Sequence, residues 1–120
     1  GGAGEVHASV ALSRLANELG SGANSRCLDA FADALLAIPT ILAENSGLSA
    51  IDLVTELRGR HVSESQSTGP YLGVNVRRGG CGDMREEGVL QPLHVSTSAI
   101  QLATEAVCMI LKIDDIVASR

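Results

Sequence analysis

The chain has 120 residues, a length that suits a single domain able to bury a core. Hydrophobic residues make up 45% and charged residues 19%, so the composition excludes an intrinsically disordered chain. The net charge is −5 and there is one Tyr and one Phe, which argues against nucleic acid as a partner because such sites need positive charge and stacking aromatic rings.

Charged and polar residues interrupt every long apolar stretch. Asp33 and Pro39 break one, and Thr104 and Glu105 break another, short of the roughly 18 uncharged residues of a membrane span. The first residues have neither the basic nor the apolar segment of a signal peptide. We therefore expect no membrane span, no secretion and a cytoplasmic location.

Apolar residues at three- and four-residue steps predict helices over about 5–19, 25–45, 50–60 and 97–111. Gly20 ends the first of them. Pro39 falls inside the second and removes a helical hydrogen bond, so we expect a kink near 35–39 or two helices joined there. Ser49 and Asp52 resemble a capping box at the start of the third helix, and Ser96 or Ser98 can cap the last one.

The segment from His61 to Pro70 has no apolar period and is expected to be a solvated, mobile loop. A β-hairpin region is predicted over about 72–91, with alternating apolar residues after Tyr71 and a short return strand at Val89-Leu90. Asp83 to Glu87 can form one helical turn closed by Gly88. Gly79 and Gly80 fit the hairpin turn better than a second phosphate loop.

A terminal strand is predicted over 113–118, where the helical period breaks after Lys112. No other segment is an evident partner for it, so we expect it to be unpaired, disordered or paired with another chain or with strands outside this sequence. Asp114 and Asp115 would then point to opposite faces and could not share one ligand.

No catalytic or metal-ligating set emerges from the spacing. Three cysteines, an odd number and widely spaced, are read as free, buried or half-buried small apolar residues, with no disulfide or zinc site: Cys27, Cys81 and Cys108. Three histidines lie at no ligand spacing and are expected to be solvated or capping: His7, His61 and His94. The serines at 63, 96 and 98 lack a neighbouring base and are read as caps or loop residues.

A series of motifs in a fixed order strongly resembles the C-terminal stretch of group II chaperonins, the family of the eukaryotic cytosolic complex CCT/TRiC. The motifs are Gly1-Gly2-Ala3-x-Glu5, Phe31-Ala32-Asp33-Ala34, Ile38-Pro39, Leu42-Ala43-Glu44-Asn45-x-Gly47, Glu56-Leu57-Arg58, Gly73-Val74-Asn75-Val76, Gly88-Val89-Leu90-Gln91-Pro92-Leu93, Ala103-Thr104-Glu105 and Leu111-Lys112-Ile113-Asp114-Asp115. None is specific alone, and their order over the whole chain carries the resemblance. His7, where many members have an acidic residue, and a longer 61–72 loop depart from it.

The resemblance implies a mainly α fold with a small β-hairpin, the C-terminal half of a GroEL-like chaperonin equatorial domain, incomplete on its own. Residues 1–120 would form part of this single ATP-binding domain. It implies a subunit of an ATP-dependent chaperone that folds cytosolic proteins in a hetero-oligomeric double ring, with other chaperonin subunits and unfolded proteins as partners.

For the site, the resemblance implies that this chain contributes the base and ribose side of an ATP site: Gly1, Gly2, Gly73, Val74, Asn75, Val89 and Gln91. The family's phosphate loop, Mg-binding acidic motif and catalytic Asp lie outside this sequence, so the chain would be inactive alone and bind no nucleotide tightly. Gln91 stands where the family often has Glu or Asp, and can hydrogen-bond a hydroxyl without charge assistance.

A helical interaction or oligomerisation module, with the glycines as mere turns, is the alternative. The chaperonin interpretation requires the first glycines, the segment 73–75 and Gln91 to line one concavity, whereas the alternative does not. A free-standing small enzyme has no candidate nucleophile, acid pair or metal site in its favour. Apolar surface left exposed by the chain is expected to cause self-association.

Overall fold

The computed structural model describes residues 1–64 and 66–118, with side chains up to residue 113. The chain falls into two compact units, Gly1–Val89 and a second from Leu90 onward. The elements in chain order are α1 Ala3–Glu18, α2 Ala23–Leu35, α3 Ala37–Asn45, α4 Ala50–Ser63, a 3-10 turn Gly69–Tyr71, β1 Leu72–Val74, β2 Cys81–Asp83 and α5 Leu93–Ala118.

The core of the first unit lies where α1, α3 and α4 meet strand β1. Leu57 of α4 and Val6 of α1 have no exposed surface, and Leu72 and Val74 of β1 are each 2% exposed. The core cluster consists of Val6, Leu36, Ala43, Ala50, Leu53, Val54, Leu57, Leu72 and Val74. Aliphatic side chains of this kind each contribute about 1.5–3 kcal/mol when fully buried, so this cluster holds the helices on the hairpin.

Helices α1 and α2 pack closely because small residues line their contact. Ala16 and Ala32 are fully buried. The hydroxyl of Ser9 donates to the carbonyl oxygen of Ala32 at 2.7 Å, and that of Ser25 donates to Ala16 at 2.9 Å. These bonds satisfy two buried hydroxyl groups and fix the pairing of the helices.

The break predicted at Pro39 is confirmed as two helices joined at Leu36. The amide of Leu36 donates to Asp33, three residues back, and the amide of Thr40 donates to Leu36 at 3.1 Å. Pro39 is the third residue of α3, where a helix does not need a backbone N–H from that position. Ending one helix and starting another therefore accommodates the proline without a lost hydrogen bond.

Helix α4 starts as predicted but ends later, at Ser63 rather than Arg60. Ser49 is its N-cap, yet its hydroxyl donates to the carboxylate of Asp52 at 2.9 Å instead of capping a backbone N–H. The expected solvated loop from 61 is therefore helical at its start. The reason is tertiary: His61 is buried against the hairpin and extends the helix by a turn.

The hairpin is shorter than predicted, and its return strand is different. Strand β1 pairs antiparallel with β2, with Leu72 opposite Asp83 and Val74 opposite Cys81. Val89-Leu90 is not a strand, so that prediction is wrong. The glycines at 79 and 80, with φ of 74° and 104°, let the chain turn back at once. The turn closed by Gly88 forms as predicted, and Gly88 has φ 71°.

The predicted terminal strand over 113–118 is wrong, because the backbone continues in α5 to Ala118. A helix satisfies its own backbone hydrogen bonds, whereas a strand needs a partner. The helix also starts earlier than predicted, at Leu93 directly after Pro92, so neither Ser96 nor Ser98 caps it.

Helix α5 is apolar and exposed along the part whose side chains are described. Leu93–Ile113 has a mean hydropathy of 1.2 and is long and apolar enough to cross a membrane by length and composition. The sequence predicts no segment of this kind, because charged and polar residues interrupt every long apolar stretch. That expectation is corrected here, although Glu105 and Lys112 lie in the segment. One such helix is weak evidence for a span, because core helices of soluble proteins meet the same measure.

Candidate functional site

Gly1 and Gly73 pack backbone to backbone. The carbonyl oxygen of Gly1 accepts a hydrogen bond from the amide of Val74 at 2.8 Å. A Cβ on Gly73 would lie 2.7 Å from that same oxygen, and a Cβ on Gly1 would overlap the sulfur of Met84. Both positions therefore require glycine for a close approach inside the chain. We call this contact of Gly1, Gly73 and Met84 the glycine junction.

Gly2 turns the chain from the glycine junction into helix α1. Its φ of 78° is left-handed, and a Cβ there would lie 3.0 Å from Cβ of Pro39. Gly2 is the N-cap of α1, and no side chain caps that helix end among the described residues. The amino end of a helix carries unpaired N–H donors and partial positive charge. The junction thus holds a set of backbone donors beside strand β1.

Asn75 organises the turn that follows β1. It is 5% exposed, and its side-chain oxygen accepts the amides of Arg77 and Arg78 at 3.1 Å each. Its own amide donates to the carbonyl oxygen of Gly80 at 2.8 Å. The turn therefore occupies the Oδ1 atom, which leaves the Nδ2 amide as the side-chain group with donor capacity for a ligand.

The predicted site residues are brought together only in part. Gly1, Gly2, Gly73, Val74 and Asn75 form one continuous region. The amide of Val89 donates to the carbonyl oxygen of Met84 at 2.9 Å and so joins this region through the junction methionine.

Gln91 belongs to the second unit. There its side-chain amide donates to the hydroxyl of Ser96.

Four charged residues around the hairpin form two ion pairs, Asp83 with Arg85 and Arg78 with Glu87. Arg85 donates to both carboxylate oxygens of Asp83, and this hydrogen bonding lowers the pKa of Asp83 below its usual range. The guanidinium of Arg85 also lies 3.8 Å from the centre of the Tyr71 ring. Arg78 and Glu87 form an ion pair at 3.5 Å. The region can therefore offer neutral backbone and amide groups, each worth about 1 kcal/mol as a hydrogen bond.

The thiols provide no activated nucleophile in this region. Burial, with the nearby Glu56, raises the pKa of Cys81 to about 11. A thiol needs a lowered pKa to react at neutral pH. Cys27 and Cys108 are exposed rather than buried or half-buried as expected, and all three cysteines are free.

The expectation of solvated or capping histidines is wrong for His61. It is 6% exposed, and its Nε2 lies 2.8 Å from the carbonyl oxygen of Leu72. His7 and His94 are exposed as expected. His61 sits in a polar stretch of sequence, so no local signal distinguishes it from a loop residue.

Met84 and Pro39 are the residues of this region that sequence reasoning missed. Met84 is 4% exposed and fills the space over Gly1 and Gly73. A signal was available, since Met84 is the one apolar residue between Asp83 and Gly88. Pro39 was recognised as a helix breaker, but its contact with Gly2 depends on the tertiary fold.

Comparison with known proteins identifies the fold and family. The whole chain, residues 1–120, matches the TCP-1/cpn60 chaperonin family. The T-complex protein 1 subunit delta of Bos taurus is 51% identical over 120 residues, covering all of this chain and 21% of that protein. The same subunit of Caenorhabditis elegans is 54% identical over 117 residues, with coverages of 98% and 21%.

A solved structure shows the same architecture. It is the open-state monomer of a group II chaperonin from Methanococcoides burtonii, with a TM-score of 0.82, 42% identity, and coverage of 92% of this chain and 26% of that one. The chain therefore belongs to the TCP-1/cpn60 chaperonin family, and its mainly helical fold matches part of a chaperonin equatorial domain, as expected. It spans about a fifth of the length of the curated relatives it matches.

Within this family, several motifs of the chain predict a likeness to the delta subunit of the cytosolic chaperonin. The motifs are Asn75-Val76-Arg77-x-Gly79-Gly80 and Gln91-Pro92, with Arg120 at the end of the sequence. This expectation is confirmed, because relatives named T-complex protein 1 subunit delta are 47–54% identical over essentially the whole chain.

Proposed function

We propose that this chain forms part of the nucleotide-binding equatorial layer of an ATP-dependent chaperonin subunit. The longer subunit would assist the folding of cytosolic proteins in a hetero-oligomeric double ring. Its partners would be other chaperonin subunits and unfolded proteins, and its location the cytosol. The observation that carries the proposal is the glycine junction. There Gly1 contacts Gly73 on the strand that leads to Asn75, and Gly2 turns the chain from this contact into the uncapped start of α1.

We assign the groups at the junction to the sugar and base of a nucleotide, because the resemblance to the family puts the phosphate loop outside this chain. They are neutral N–H donors and one amide, the chemistry that recognises hydroxyl groups and ring nitrogens. The glycines themselves make room for the chain's own backbone, since their Cβ positions face Met84, Gly1 and Pro39. The glycines would therefore position the backbone donors and would not contact the ligand themselves.

Phosphate and Mg²⁺ binding would fall to residues outside this chain. No group of three or more metal-ligating side chains occurs among the residues that the structure describes. When bound, Mg²⁺ neutralises charge on the transferring phosphate. This chain's residues would orient the nucleoside, and the side-chain amide of Gln91 would donate to a ribose hydroxyl.

The apolar side chains of α5 fit a place inside a larger subunit. Leu102 is 64% exposed and Ile110 is 61% exposed, although a water-exposed helix normally has one apolar face at most. In the proposed subunit, other parts of the same polypeptide would cover them. A helical interaction module would use the same surface for a separate partner, with no role for the glycine junction.

The test uses the full-length subunit and measures ATP binding by calorimetry. Gly73→Ala places a Cβ 2.7 Å from the carbonyl oxygen of Gly1, so we expect the junction to shift and ATP affinity to fall by about tenfold or more. Gly59→Ala is the matched control, because a Cβ there meets nothing within 4 Å. Equal ATP affinity in both variants would favour the interaction module.

A second measurement addresses Gln91 and the chain alone. Gln91→Ala in the full-length subunit removes one neutral hydrogen bond of about 1 kcal/mol, so we expect a loss of affinity of roughly five- to tenfold and a smaller effect on hydrolysis. The 120-residue chain alone should show no tight ATP binding. Micromolar ATP binding by this chain, or unchanged affinity in Gln91→Ala, would place the site elsewhere.

A further inference from the structure

A small cavity lies between helix α1 and the last turn of helix α4, apart from the glycine junction. Its volume is about 130 Å³, enough for a few water molecules or a hydrated ion. The polar residues that line it are His7, Arg14, His61, Glu64 and Gln66. The nucleotide site proposed above uses none of them.

The ring of the buried His61 has one nitrogen that forms no hydrogen bond within the described residues. The carbonyl oxygen of Leu72, 2.8 Å from Nε2, can only accept, so Nε2 carries the hydrogen. In the neutral ring, Nδ1 is then a bare acceptor. That Nδ1 atom is buried and has no hydrogen-bond partner among the residues that the structure describes.

His7 faces His61 across the helix contact. The two ring centres are 5.8 Å apart, and the rings are tilted by 44°. Two imidazoles that share one tetrahedral metal ion, each through a nitrogen at about 2.0–2.1 Å, hold their centres roughly 5 to 6 Å apart. The distance between these ring centres therefore matches that of two imidazoles that share one ion.

The hydrogen bond of His61 is also the one that metal-binding histidines use. Such residues commonly donate their second ring N–H to a backbone carbonyl or carboxylate, which fixes the tautomer and the ring orientation. Here Leu72 of strand β1 provides that carbonyl, and the buried position of His61 holds the ring still. A metal ion bound to Nδ1 would therefore explain both the bond made by Nε2 and the lack of one at Nδ1.

We propose that His7 and Nδ1 of His61 bind a divalent transition-metal ion of the zinc type. Water would complete its coordination, because the described residues contain no group of three metal-ligating side chains. Glu64 lines the cavity but is paired with Arg60. With two protein ligands the ion would exchange readily. Nitrogen ligands also select zinc, copper or nickel over Mg²⁺, which prefers oxygen.

The test measures Zn²⁺ binding to the full-length protein, freed of any affinity tag, by calorimetry. The wild-type protein should bind one more Zn²⁺ ion at micromolar concentration than His7→Gln does, because losing even an outer partner of a metal ligand costs roughly 10- to 100-fold in affinity. His94→Gln is the matched control, an exposed histidine in the other unit, and should bind as the wild type does.

A second readout identifies the ligands directly. Electron paramagnetic resonance of the Cu²⁺-loaded wild-type protein should show coupling to two imidazole nitrogens, one of which is lost in His7→Gln. His61→Gln should lose the extra Zn²⁺ ion as well, and if that variant fails to fold, His7→Gln alone decides. Equal Zn²⁺ stoichiometry in wild type and His7→Gln, or no imidazole coupling, would overturn the proposal whatever the outcome for ATP.

Discussion

The two units of this chain have similar apolar periodicity and opposite burial. In the first unit the apolar residues of α1, α3 and α4 meet a hairpin, so that Leu57 and Val6 have no exposed surface. In the second unit, helix α5 has an equally regular set of leucines and isoleucines, yet Leu102 and Ile110 are more than half exposed. A single helix cannot cover its own apolar side chains. Apolar periodicity therefore indicates which side chains must be buried, but it does not identify the element that buries them.

The largest effect that we expect is self-association of the 120-residue chain through α5. Exposed apolar surface of this size favours contact with another apolar surface. Replacing Leu102 and Ile110 with Glu should shift the chain towards monomer and reduce binding of a hydrophobic dye. Sedimentation velocity at increasing concentration checks this. If the wild-type chain stayed monomeric at high concentration and bound no dye, α5 would not expose more apolar surface than the first unit.

The next effect concerns stability. Leu57→Ala should lower the free energy of unfolding by about 2–5 kcal/mol, because it opens a cavity in the core of the first unit. Leu102→Ala, the same change at an exposed position of α5, should alter it by about 0.5 kcal/mol or less. Urea denaturation of both variants measures the difference. Similar losses would mean that α5 is buried after all.

A smaller loss is expected at Asn75. Asn75→Ala leaves the amides of Arg77 and Arg78 without their acceptor, so unfolding should become easier by about 1–3 kcal/mol. Gln91→Ala, which removes the exposed amide of the second unit, should stay within about 0.5 kcal/mol. Thermal melting of the two variants decides this comparison. An equal shift in both would contradict the role given to Asn75 in the turn.

The smallest effect is a pH dependence set by His61. Burial lowers its pKa below the usual 6.5, so the unfolded chain takes up this proton at a higher pH than the folded chain. The stability contributed by the neutral ring is complete above about pH 6.5 and decreases as the pH falls towards the lowered pKa.

Melting curves at about pH 7.5 and 5.5 measure this loss, which should be smaller in His61→Gln than in the wild-type chain. His94→Gln should keep the loss seen in the wild-type chain. The same pH dependence in wild type and His61→Gln would show that other groups cause it.

Local chemistry was sufficient for much of the first unit. Apolar spacing located its helices to within a few residues, and Pro39 marked the join of α2 and α3 because a proline cannot donate the amide hydrogen bond. Ser49 marked the start of α4 correctly, although its hydroxyl bonds to Asp52 rather than to the backbone. The glycines at 79 and 80 located the hairpin turn.

The wrong predictions of secondary structure lie in segments whose conformation depends on backbone partners or on residues distant in the sequence. The segment 113–118 contains β-branched residues, but its backbone satisfies its hydrogen bonds within helix α5. The sequence predicts Val89-Leu90 as the return strand, whereas the tight turn after Asn75 brings the nearer segment Cys81–Asp83 back first.

The sequence by itself determined the family, the helices and the glycines that a close backbone approach requires. Only the tertiary structure decided what those glycines face: Gly1 and Gly73 meet each other beneath Met84, and Gly2 rests on Pro39. It also turned His61 from a loop residue into a buried ring with a free nitrogen beside His7. The physical reason is that periodicity and turn chemistry act between near neighbours, whereas these contacts join residues that are distant along the chain.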